Sequence, residues 1–383
     1  MYIYPDYYKQ FACIGKDCIS TCCVGWGVEL DEETVRFYRD RTDEFGRFVQ
    51  ANIEEVRDGG VRVVLPDSKR CPFLDEEGLC QIFIHYGEES LSRTCTRFPR
   101  RQRWFNENFI GGMSLSCERV LEMLWEKKDD VSIVEEKDMT MTTMGDLAFV
   151  KLKRFLAEGM ALLQDAATPF GVSLGTVIYT GIEAGQSYTE HDFERFDEAV
   201  DGMPEVAEQF RQSERSLSEE EIKGSAWTLI FGVVDTFCHV LKEQNVFGAE
   251  KILWPESVFS LSDGERKQYL CQAFEKQSRG QEYKRFVRRL AAACFFGHAM
   301  ALGAEDGESI FLESICPYLV IAAVLPFTWD LSGGACAFFP RLSYVARQFE
   351  QPGQAKDIFI SIIRELFAPD VFAYTTVFMA LFD

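Results

Sequence analysis

LKRFLAEGMALL, residues 152–163, is the stretch whose spacing decides the fold class. Leu152, Phe155, Leu156, Met160 and Leu163 recur every three or four residues, the signature of a helix with one apolar face. A longer stripe of the same kind runs through Trp227, Ile230, Phe231, Val234, Phe237, Cys238 and Leu241. Helical patterns also cover 282–302, 308–325, 338–350 and 355–367. Ser218 with Glu221 is a candidate capping box, and Asp31 a candidate cap for a helix carrying Val35 and Tyr38. Strand signals are few, the best lying at residues 60–65. The expectation is a mainly α fold.

Composition bounds the rest. A chain of 383 residues with 47% hydrophobic content has ample material for a buried core. Its net charge of −21 repels phosphate backbones and anionic lipid, so neither a nucleic acid nor a membrane surface is an expected partner. The start, MYIYPDYYKQ, does not read as an export signal. The most apolar stretches, residues 290–302 and 315–327, are shorter than the roughly 18 residues a membrane span needs. A soluble, cytoplasmic chain is expected, and in a reducing compartment clustered cysteines are more often metal ligands than disulfides.

The cysteines are unevenly placed. Cys13, Cys18, Cys22, Cys23, Cys71, Cys80, Cys95 and Cys117 fall in the first 117 residues, leaving five of the thirteen for the rest. Residues 126–143, EKKDDVSIVEEKDMTMTT, read as a connection, which divides the chain into a cysteine-rich metal-binding region, 1–135, packed on a helical domain, 136–383. Thiolates favour zinc, copper(I) or iron–sulfur clusters, and one zinc ion or one four-iron cluster takes up to four of them. Eight therefore imply two centres, or one with spare cysteines. The adjacent pair Cys22-Cys23 is awkward for two-point ligation of one ion, and paired C-x-x-C knuckles are absent.

The contexts Cys22-Cys23-Val24-Gly25-Trp26, Cys71-Pro72-Phe73-Leu74, Gly78-Leu79-Cys80-Gln81-Ile82-Phe83, Cys95-Thr96-Arg97-Phe98-Pro99-Arg100 and Leu115-Ser116-Cys117 are distinctive. With Pro5-Asp6-Tyr7-Tyr8 and Gly87-Glu88-Glu89-Ser90-Leu91-Ser92, they resemble the flagellin lysine N-methylase family over residues 5–120. The head is also similar to a cysteine-rich domain described as zinc- or iron-chelating. The resemblance implies methyl transfer from S-adenosylmethionine to flagellin lysines, with an iron–sulfur centre, 4Fe–4S in type, held by the cysteine-rich region. A zinc-binding interaction module and a redox or metal-handling protein are the alternatives.

Such an enzyme must hold a sulfonium, for which aromatic faces and carboxylates are natural partners. The head offers Tyr7, Tyr8, Trp26, Phe98, Trp104 and Phe105, with Asp17 and Glu118. No Gly-rich loop marks a nucleotide fold, because Gly111-Gly112, Gly224 and Gly333-Gly334 are isolated. Cys238, Cys271, Cys294, Cys316 and Cys336 read as core residues, and His85, His239 and His298 as structural or surface histidines rather than ligands.

Overall fold

The computed structural model describes residues 1–25, 27–56, 59–66, 70–136, 146–216, 260–278, 280–302 and 335–350, with the single positions 357 and 361. In chain order its elements are β1 (Tyr2–Pro5), β2 (Glu29–Leu30), α1 (Glu32–Arg39), α2 (Glu44–Ala51), β3 (Ile53–Glu55), β4 (Val61–Val63), α3 (Gln81–Tyr86), α4 (Arg93–Arg97), β5 (Arg100–Phe105), β6 (Asn108–Met113), α5 (Glu118–Glu126) and β7 (Ile133–Glu136). Helices follow: α6 (Leu147–Gln164), α7 (Phe170–Glu190), α8 (Phe193–Asp201), α9 (Met203–Ser216), α10 (Asp263–Ser278), α11 (Gln281–Ala299) and α12 (Ala335–Glu350). The fold is mainly helical with some sheet.

The stretch 152–163 forms the centre of α6, and all five periodic residues are buried. They face α11, where Phe155 meets Phe295 edge-on with ring centroids 5.2 Å apart. Gly159 permits that approach, since a Cβ there would stand 2.5 Å from the Phe295 ring. Each buried ring contributes about 1.5–3 kcal/mol of transfer free energy. The last carbonyls of α6 have no helical partner, and Arg288 of α11 supplies donors: it reaches the carbonyls of Leu163 at 3.2 Å and Asp165 at 2.9 Å.

Strands are more numerous than the sequence suggests. One sheet has the order β5-β6-β1-β7, with β1 parallel to β6 and antiparallel to β7. Part of the stretch expected as a connection is thus β7, whose Glu135 pairs with Ile3. Gly111 and Gly112 are close-approach positions in β6: a Cβ would meet the Tyr8 ring at 2.9 Å from the first and Met300 Sδ at 2.9 Å from the second. The sheet thereby packs directly on the end of α11, and Arg103 of β5 donates to the Leu302 carbonyl at 2.6 Å. A single apolar core runs from Ile3 through Phe109, Leu121 and Phe155 to Phe295 and Leu342.

A second sheet, β2-β4-β3, is antiparallel and includes the strand expected at residues 60–65. It packs with α1 to α4 around a smaller cluster of Val28, Tyr38, Val49, Val63, Phe73 and Ile82. Asp31 caps α1 as expected, accepting from Thr34 N–H at 3.1 Å. The helical patterns at 282–302 and 338–350 correspond to α11 and α12. The stripe 227–241, the 218–221 box, the pattern at 308–325, nearly all of 355–367, and Trp26, Cys238, His239, Cys316, Gly224 and Gly333-Gly334 lie outside the described residues. No helix among the described residues is long and apolar enough to cross a membrane.

Candidate metal centre

The eight head cysteines lie on four segments that the fold draws together. Residues 13–24 are irregular apart from a single turn at Gly15–Asp17. Cys117 stands at the N-cap of α5, one residue before Glu118, whose carboxylate is only 3% exposed as a residue. Glu118 Oε2 accepts from Ser20 N–H at 2.7 Å and from the Cys18 thiol at 3.5 Å, which ties the first loop to the start of α5. Burial holds the Glu118 carboxyl above its usual range, and burial together with that carboxylate pushes the Cys18 thiol well up.

Backbone bonds position the other segments. Cys71 N–H donates to the Cys23 carbonyl at 2.8 Å, beside an antiparallel bridge between Val24 and Arg70. Residues 71–80 fold back so that Leu74 bridges Cys80, and Gln81 N–H reaches the Phe73 carbonyl at 2.7 Å. Cys95 lies in α4, where Ser92 caps its N–H at 3.2 Å and Thr94 donates to the Glu29 carbonyl at 3.1 Å.

Burial, and then neighbouring thiols, raise most of these groups. Cys71 is pushed up to about 12, with Cys23, Cys80 and Cys95 adding to the rise. Cys117 is pushed up to about 11, with Cys13 adding. Cys95 is exposed as a residue, yet packing around its sulfur pushes the thiol up to about 11, with Cys23 and Cys80 adding. Cys22 and Cys23 hydrogen-bond to each other; the contact raises Cys22 and lowers Cys23, which Arg347 and Arg70 lower further.

Arg347 of α12 is the residue that sequence reasoning missed. Its guanidinium donates to the carbonyls of Thr21 at 3.0 Å, Val24 at 3.3 Å, Ser20 at 2.7 Å and Ser116 at 3.4 Å. The side chain is buried, its Nε has no hydrogen-bond partner, and no carboxylate among the described residues pairs with it. One turn later Glu350 accepts from Leu115 N–H at 3.0 Å and from the Ser114 hydroxyl. A single arginine in a helical pattern carries no signal of this role, which depends on where α12 docks.

A buried cation bonded to neutral carbonyls and to the Ser20 hydroxyl costs several kcal/mol unless an anion offsets it, on the order seen for desolvated ions in proteins. Cys22, Cys23 and Cys117 are the groups on which its charge acts. The donor type suits a thiolate-bound metal, but the structure does not place these thiols around one. The cysteines are free thiols, and among the described residues no group of three or more Cys, His, Asp or Glu stands ready around a single ion.

The other candidates are placed elsewhere. Tyr7 and Tyr8 are core residues, Tyr8 stacking on Tyr4 at 5.3 Å. Trp104 is exposed, Phe105 packs on Phe149, Phe98 is half-buried and Asp17 is on the surface. His85 is exposed and stacks on Phe45 at 4.2 Å. His298 is buried with a ring nitrogen 3.2 Å from Arg101, and Cys294 is a core residue. Cys271 and Cys336 belong to α10 and α12.

Over 141 residues, 36% of its length, the chain is 30% identical to the flagellar biosynthetic protein FliU of Salmonella muenchen, 83% of which is covered. It is 28% identical over 143 residues to the lysine-N-methylase of Salmonella typhimurium, and likewise to that of Salmonella choleraesuis. The match spans about a third of the two methylases, 36% of each and 36% of this chain. No family model and no solved structure matches the chain.

Proposed function

The chain belongs to the family of the flagellar protein FliU and the lysine-N-methylases, and from that premise we propose that it is an S-adenosylmethionine-dependent protein-lysine N-methyltransferase acting on flagellin. Kinship with proteins named for lysine methylation is the observation that carries the reaction. The thiols of the head are the donors it offers a metal centre, 4Fe–4S in type, with its ligands drawn from Cys13, Cys18, Cys22, Cys23, Cys71, Cys80, Cys95 and Cys117.

A free lysine amine has a pKa of roughly 10.4, so the enzyme must remove its proton before the nitrogen lone pair can attack. The attack forms the new N–C bond as the sulfonium C–S bond breaks, releasing S-adenosylhomocysteine, and the proton goes to a base or to water. Desolvation of the bound lysine would favour its neutral amine, and the chain's charge of −21 attracts both the cationic substrate and the sulfonium. When bound, a thiolate-held iron–sulfur centre supplies iron as a Lewis acid or an electron carrier.

The test is mass spectrometry of flagellin after incubation with the anaerobically purified chain and S-adenosylmethionine. Methyl-sized increments on lysines are expected. No increment from a protein with a full complement of iron and sulfide would sink the methylase reading, and a colourless protein carrying stoichiometric zinc would sink the iron–sulfur one.

A further inference from the structure

We propose that the cleft between α1 and residues 89–97 is a binding site for a zwitterionic α-amino acid group, either the methionine end of S-adenosylmethionine or a free amino acid. Its assignment to S-adenosylmethionine rests on the proposed function.

The cleft encloses about 280 Å³. Sites for whole drug-sized ligands run from roughly 300 to 1,000 Å³, so this one is sized for a small polar molecule or for one end of a longer one. α4 lines it with Arg93 and Arg97, four residues apart and therefore on one helix face. α1 lines it with Glu33 and Phe37 at the same spacing, and the turn Glu88–Ser90 adds Glu89.

These charges lie near one another without being tightly paired. Arg93 Nη2 stands 3.9 Å from Glu33 Oε2, and its Nε 3.9 Å from Asp31 Oδ1, both too far for a hydrogen bond. Asp31 is already engaged, accepting from Thr34 N–H at 3.1 Å and from Arg93 N–H at 2.9 Å. Arg97 and Glu89 have no ion pair among the described residues. Arg93 and Glu33 are exposed, and contacts between such side chains are weak, so a ligand separates them easily.

Two guanidiniums on one face suit a carboxylate, and the carboxylates of Glu33 and Glu89 suit an ammonium. The two kinds of charge approach within 3.9 Å, as an α-amino acid requires, because its carboxylate and ammonium share one carbon. A plain anion is repelled by a chain of net charge −21, and a plain cation is repelled by the two arginines. A zwitterion meets neither objection. Phe37 supplies an apolar wall for the carbon chain that follows.

Calorimetric titration of the anaerobically purified full chain uses S-adenosylmethionine, S-adenosylhomocysteine, L-methionine and methylthioadenosine, which keeps the nucleoside and lacks the amino-acid end. The first three are expected to bind. Arg93→Ala and Arg97→Ala should each weaken S-adenosylhomocysteine and L-methionine by about ten-fold or more, the scale of one charge-assisted contact, and leave methylthioadenosine unchanged. Arg195→Ala, at an exposed site on α8, should change nothing. L-Methionine binding alone, with this arginine dependence, keeps the cleft as an amino-acid site and removes the cofactor from it. Unchanged affinities in both variants, with methyl transfer to flagellin intact, overturn the cleft and leave the methylase reading standing. The expected arginine dependence without methyl transfer does the reverse. Wild-type protein that binds none of the probes overturns the cleft. Where a variant does not fold, hydrogen exchange of the wild-type chain decides: S-adenosylhomocysteine or L-methionine should protect 31–37 and 89–97, and protection confined to other segments overturns the site.

Discussion

Around α6 and α11, apolar side chains hold the fold without help: Leu152, Phe155, Leu156, Leu290 and Phe295 are all fully buried, and the sheet of β1 and β6 extends the same core. Around β2 to β4, a cluster of six buried side chains, with Val35 and Val61 buried beside it, serves four short helices and three short strands. Units with so little apolar interior depend on cross-links or metals, because burial offsets chain entropy only when enough area is removed from water. The comparison teaches that Cys71 and Cys80 stand where the core is thinnest, whereas Cys117 packs on the larger core.

The largest effect expected from this contrast is metal removal. Stripping the proposed metal under reducing conditions should withdraw about 10 kcal/mol or more of apparent stability, on the scale of structural thiolate sites. Hydrogen exchange should show protection lost across 27–56 and 70–97 while α6 and α11 stay protected. Equal loss in both regions would erase the distinction between them.

The body should break in the opposite way. Phe155→Ala is expected to cost about 3–5 kcal/mol by leaving a cavity against Phe295 and Phe196, with metal content unchanged. Denaturant unfolding followed alongside metal analysis checks both halves of that statement.

Arg347→Gln sharpens the boundary between the regions. In the loaded protein it should cost about 3 kcal/mol, since it leaves buried thiolate charge uncompensated. In the stripped protein, where the raised thiols are protonated, the cost should be far smaller. The same loss in both forms would make Arg347 a carbonyl-binding strut and nothing more.

The smallest effect is on pH. Cys71, Cys95 and Cys117 have folded values of about 12, 11 and 11 against an ordinary 9.0, so the unfolded chain loses these protons first. Their contribution to the metal-free fold is complete below about pH 9 and fades as pH rises through 11 to 12. The thermal midpoint of the stripped protein should therefore fall over that range, and that of the loaded protein should not, because bound thiolates have already lost their protons.

Local patterns were readable and distant ones were not. The α6 stripe and the Asp31 cap depend on residues within a turn or two of each other, so spacing revealed them. The β1–β7 pairing joins Ile3 to Glu135, and nothing in either four-residue segment announces a partner so far away. Gly111-Gly112 looked stray as a motif, yet each makes room for a side chain from another part of the chain.

By itself the sequence determined that the body is helical and that eight thiols crowd the head, since periodicity and composition are properties of a chain before it folds. Only the tertiary structure decided which thiols become neighbours and that Arg347, more than two hundred residues from Cys117, binds the Ser116 and Ser20 carbonyls beside them. Charge and ligation act through space, over a few ångströms, and those distances exist only once α12 has docked.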